Sequence, residues 1–124
     1  MKFHEIKSES LNLITDYSDS SVSIGNKIIN HSSIIFPDSM IENIDLQKVS
    51  DFNSRNIKKI YDLSPEIILI GSVGDEKITS PDQFNKFYDK NISVEVMNLH
   101  AACRTFNILI SEQRKVALVL IFKL

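Results

Sequence analysis

The residues best able to do chemistry lie in the second half of the chain. Gly71-Ser72-Val73-Gly74 follows EIILI at 66–70, a continuous apolar run of the kind found in strands buried on both faces. Asn98 stands just before an amphipathic run that reads as a helix. In open α/β sheets ligands collect at the carboxyl ends of parallel strands, where a helix N-terminus also offers free N–H groups and a favourable dipole. Gly71, Ser72, Gly74, Glu95, Asn98, Cys103 and Arg104 therefore form a candidate pocket for an anion or a carboxylate. The competing reading is a plain strand-to-loop turn, because G-S-V-G lacks the dinucleotide fingerprint spacing and the P-loop lysine.

Cys103 and His100 are three residues apart, close enough on a helix to touch. A thiolate nucleophile needs a lowered pKa and a base that is itself oriented by a third group. No third group is evident, and the helical period puts Cys103 on the core face. Arg104 has two readings: an exposed residue that keeps its face soluble, or a partner for Glu95 or for a ligand carboxylate. Glu66 and Glu95 fall on neighbouring strands and could approach each other, or Glu66 could pair with Arg104 or a rim lysine. His4, His31 and His100 are dispersed, with no second cysteine and no metal-ligand spacing. Neither a metal nor a cofactor is expected, and no catalytic set is complete.

These residues must be held by elements that the pattern predicts. The first half alternates. Leu11, Leu13 and Thr15 share one parity; Val22, Ile24, Asn26 and Ile28 follow around a Gly25-Asn26 turn; Ile34–Phe36 stops at Pro37. A short helical turn is expected near 46–52 and a helix near 54–62. Ser80, Pro81 and Gln83 carry the N-cap, first-position proline and capping-box signals of another helix, ended by Asn91 in a left-handed conformation. Residues 92–97 alternate as a strand. Leu99, Ala102, Cys103, Phe106, Leu109 and Ile110 form the core stripe of a helix capped by Asn98, with His100, Arg104, Asn107 and Ser111 opposite. Residues 115–122 are apolar almost throughout, which predicts a central strand. Strand–helix–strand–helix–strand over 66–123 implies parallel neighbours joined by right-handed crossovers. The fold class is α/β: a single domain over 1–124, β-rich in 1–44 and α/β in 45–124. Its central sheet is mixed and mostly parallel, flanked by helices, with extra antiparallel hairpins from the N-terminal half.

Composition limits the rest. A chain of 124 residues is a one-domain length and can bury a core without disulfides. Fourteen basic and sixteen acidic residues give −2, without the basic excess of a nucleic-acid binder, so no nucleic-acid partner is expected. The single cysteine suits a reducing compartment, and the first residues show neither a secretory nor a transit pattern. The longest apolar run, Val116–Phe122, has seven residues, far short of a transmembrane segment. A cytoplasmic location is expected.

Val94–Ile121 (VEVMNLHAACRTFNILISEQRKVALVLI) resembles a small α/β family that includes a mitochondrial assembly factor of respiratory complex I and an adipogenesis-associated domain protein. The shared positions are Glu95-Val96-Met97, Ala101-Ala102-Cys103-Arg104-Thr105, Asn107, Leu109, Glu112 and Arg114, with Pro65–Gly71 upstream. Three positions depart from the family pattern: Val73 for a glycine, Asn98 for an aspartate and Gln113 for a glycine. The resemblance implies a compact mixed-sheet domain without a settled catalytic activity, and a protein partner rather than a substrate. The expectation is an accessory protein that acts as an interaction or assembly factor. The alternatives are a small-molecule binder or enzyme at the candidate pocket, and a homo-oligomer formed through an open sheet edge.

Overall fold

The computed structural model describes residues 11–52, 58–74 and 82–122. Among the described residues, eight strands form two sheets. β1 (Ile14–Tyr17), β2 (Val22–Ile24) and β3 (Lys27–Ile29) make a small antiparallel sheet. β4 (Ser33–Ile35), β5 (Met40–Ile41), β6 (Ile67–Ser72), β7 (Ser93–Asn98) and β8 (Val116–Ile121) make the main sheet, in the order β5-β4-β8-β6-β7. β7, β6 and β8 run parallel, and β4 and β5 add antiparallel pairings on the other side. The helices are α1 (Lys58–Leu63), α2 (Asn85–Tyr88) and α3 (Leu99–Ser111), with a 3₁₀ turn at Val49–Asp51.

β8 is central and buried at all six positions, as its unbroken apolar run requires. The sheet has a core on each face. On one, α3 and the small sheet lie together: Leu99, Ala102, Cys103, Phe106 and Ile110 meet Ile14, Val22, Ile24 and Ile29 over Leu69, Leu118 and Leu120. On the other, Phe52, Ile60, Phe84 and Phe87 cover Ile68, Ile70, Val119 and Ile121.

The first half departs from the expected alternation. Leu13 is exposed and Ile14 buried, so the strand is one residue out of phase with the Leu11, Leu13, Thr15 parity. Ile14 is the side chain that meets α3, and a register irregularity between Ile14 and Asp16 breaks the pattern on which the alternation relied. Gly25-Asn26 does turn the chain. Gly25 has φ +60° while Asn26 is not positive, and Ile24 pairs with Lys27, as in a two-residue type II′ hairpin. Crossing that turn exchanges the faces, so Ile29 opposes Val22 in the core and Ile28 points outward. Only β4 and β5 join the main sheet, while the earlier hairpins form their own.

α2 is shorter than expected and begins at Asn85, with Phe84 as an N-cap lacking a side-chain bond. Ser80 and Pro81 lie outside the described residues, as do 54–57 of the expected 54–62 helix. Gln83 Nε2 donates to Val49 O (2.8 Å) and Phe52 O (3.2 Å), bracing the 3₁₀ turn. Asn91 is left-handed (φ 62°), as expected. α3 ends in a Schellman motif. Gln113 N–H donates to Ile110 O, Arg114 N–H to Leu109 O, and Gln113 itself is left-handed (φ 61°).

Candidate functional site

The candidate residues divide when placed on this frame. Ser72 and Asn98 are level across β6 and β7 at the carboxyl edge. Asn98 Oδ1 accepts from Ala101 N–H at 2.9 Å, so its side chain is the cap of α3. Ser72 is buried, and its Oγ lies 3.4 Å from Gly74 N, a long contact within its own turn. Gly71 works in packing. A Cβ there would lie 2.7 Å from Ala102 Cβ and 3.2 Å from Leu99 Cα. The missing side chain lets α3 settle onto β6.

Cys103 is fully buried in the cluster beneath α3, and burial pushes its thiol up to about 12. Such a thiol is not a nucleophile at neutral pH. Arg104 is exposed, and its Nη1 donates to Tyr17 Oη at 3.0 Å; no ion pair joins it to Glu95 among the described residues. Glu95 is exposed on β7. Glu66 does not approach it, because Leu69 is the residue level with Glu95. Instead Glu66 Oε1 accepts from Lys115 N–H (3.1 Å), and Oε2 takes Arg114 Nε (3.2 Å). The Lys115 N–H bond, helped by the Arg114 charge, holds the Glu66 carboxyl below its ordinary value. His100 stacks obliquely on Tyr17 with ring centroids 4.9 Å apart. Its Nε2 is 3.0 Å from Asp19 Oδ1 but off the line a hydrogen bond needs, and Asp19 is well exposed, so the contact holds little.

The motif around Arg104 thus has a consistent use. Ala102 meets Gly71, Cys103 fills the core and Arg104 reaches Tyr17. Thr105 Oγ1 donates to Ala101 O (2.8 Å) and touches Met97 Sδ (3.7 Å). Asn107 Oδ1 accepts from Ile14 N–H and Nδ2 donates to Ile14 O, both at 2.9 Å. The run joins the small sheet to the main one.

Sequence reasoning missed Tyr17 and Ile14 as partners of this run, and it missed a groove at the opposite end of the sheet. The groove has a volume of about 520 Å³ and lies where β6 and β8 begin and α3 ends. Leu11, Phe36, Leu63 and Ile110 form its walls, with Arg114 and Lys115 at its rim. The only sequence signal for it was Leu63, an apolar residue at a helix end that the structure leaves half exposed.

A five-stranded mixed sheet with one long helix and an accessory three-stranded sheet against the same face defines a small α/β class. The family described as Protein of unknown function (DUF498/DUF598) matches residues 14–121, and the chain belongs to it. It is 32% identical over 100 residues to the Xenopus tropicalis NADH dehydrogenase (ubiquinone) 1 alpha subcomplex assembly factor 3, covering 76% of this chain and 55% of that protein. The chain therefore spans about half the length of that relative. It is 30% identical over 94 residues to the 13 kDa major membrane protein of Francisella tularensis subsp. holarctica, covering 74% of this chain and 76% of that one. Among solved structures, a Bordetella parapertussis protein superposes with a TM-score of 0.80 at 26% identity, over 92% of this chain and 98% of that chain. No helix among the described residues is long and apolar enough to cross a membrane.

Proposed function

We propose that this chain is a cytoplasmic accessory protein that binds other proteins, an interaction or assembly factor rather than an enzyme. The observation that carries the reading is the 32% identity to a named assembly factor over three-quarters of the chain. The packing of the candidate residues lends it support. Of the candidate pocket residues, Gly71 and Cys103 serve helix packing and Asn98 caps α3, which leaves the Ser72–Asn98 edge as the remainder of a small-molecule reading. The test is capture of the tagged full chain from its native cells at low and high salt, with cross-linking. A stoichiometric protein partner that survives both is the expected result. Its absence under every condition, together with turnover of a small molecule, would reverse the reading.

A further inference from the structure

Sheet edges are where a fold offers unpaired backbone to another chain. Here the edge of β1 is met by Asn107, and β3 and β5 have three and two residues. β7 differs: it has six residues, is terminal in the main sheet and has β6 as its ladder neighbour. Ser93 N–H donates to Glu66 O on the β6 side at 3.0 Å. Alternate residues of a strand turn their main-chain groups to opposite sides. Ser93, Glu95 and Met97 therefore face β6, and Val94 and Val96 present N–H and C=O outward.

The side chains on this rim alternate too. Val94 and Val96 are half-buried against the second core, and Glu95 between them is exposed, with no ion pair among the described residues. A second copy laid antiparallel, with Val94 bonded to Val96, would set Glu95 directly opposite its own copy. Like charges so placed are destabilising, whereas an opposite charge is favoured.

We infer that the β7 edge is a strand-addition site for an extended segment of another protein in which apolar residues alternate with lysine or arginine. Main-chain bonds to Val94 and Val96 hold the added strand, its apolar side chains extend the second core, and its cation lies against Glu95. This names a surface for the protein-binding reading proposed above and rests on it.

The test uses the ¹⁵N-labelled full chain and two synthetic peptides, one alternating valine with lysine and one alternating valine with glutamate. The lysine peptide should shift the Val94 and Val96 amides and slow their exchange, binding roughly fivefold more tightly than the glutamate peptide. Glu95→Lys should invert that preference without unfolding the protein, since the side chain is exposed. Val96→Pro removes an outward N–H and no ladder bond, so it should abolish binding of both peptides. Equal affinity for the two peptides, unmoved Val94 and Val96 amides, or self-association through β7 would overturn the inference. The broader reading fails separately. If wild type captures a partner and both variants keep it, the β7 site is wrong and partner binding stands; if nothing is captured, partner binding itself fails.

Discussion

The carboxamide of Asn107 makes both hydrogen bonds to the main chain of Ile14, at 2.9 Å each, across 93 residues of sequence. A side chain of α3 thus does for β1 what a neighbouring strand would do. Asn107→Ala leaves a part-buried N–H and C=O without partners, which should cost about 1–3 kcal/mol in chemical denaturation. Hydrogen exchange should speed up through β1, while β6 and β8 stay protected relative to the global stability. Asn107→Asp should restore only the half of the bond that accepts.

Gly71 should tolerate no side chain. The 2.7 Å approach to Ala102 Cβ means that Gly71→Ala must push α3 off β6, at about 1–3 kcal/mol. The double variant Gly71→Ala with Ala102→Gly should recover part of that loss. If its cost equals the sum of the two singles, the contact is not the cause.

Gln113 occupies a left-handed position usually filled by glycine. Gln113→Gly should therefore stabilise the protein by about 1 kcal/mol, seen as a higher thermal midpoint. Gln113→Val should lower it.

The buried thiol of Cys103 should resist alkylation in the native protein at pH 8 and react on unfolding. Its pKa is raised to about 12 from an ordinary 9.0, so between those values the unfolded chain has lost the proton and the native one keeps it. The Cys103 contribution to stability is complete below pH 9 and declines as pH rises toward 12. Cys103→Ala should remove that alkaline slope, whatever it costs in packing.

Glu66 has the opposite sign. Its carboxyl is held down by the Lys115 N–H and by Arg114, so its contribution is present above its ordinary value of 4.5 and is lost as pH falls through the depressed one. Glu66→Gln should shift the acid-unfolding midpoint upward, and more at low salt than at high salt.

The second half of this fold was legible because its elements are long enough to show a period. Thirteen residues of α3 carry one apolar stripe, and Asn98, Asn91 and Gln113 mark ends through local backbone geometry. β1 has four residues and an irregular register, too few to fix which parity faces inward, so Leu13 and Ile14 exchanged roles. The candidate residues were legible by type and by their place near one sheet edge, but not in their use. Nothing near Asn107 announces Ile14, and nothing near Arg104 announces Tyr17, because those partners come from the far end of the chain. Residue types suited to ligand binding are equally suited to joining two sheets, and only tertiary placement separates the uses.

The position of β8 has a consequence for how the chain acquires its shape. β8 follows every other described strand in sequence, yet it lies between β4 and β6. Until it is made, no strand ladder links β4 and β5 to β6 and β7, and the small sheet lacks Leu118 and Leu120 beneath it. Contacts of such long sequence separation are slow to form and leave apolar surface bare meanwhile. On the ribosome the nascent chain should therefore hold no stable N-terminal intermediate and should fold in one late step, exposed to chaperones until residues 116–121 emerge.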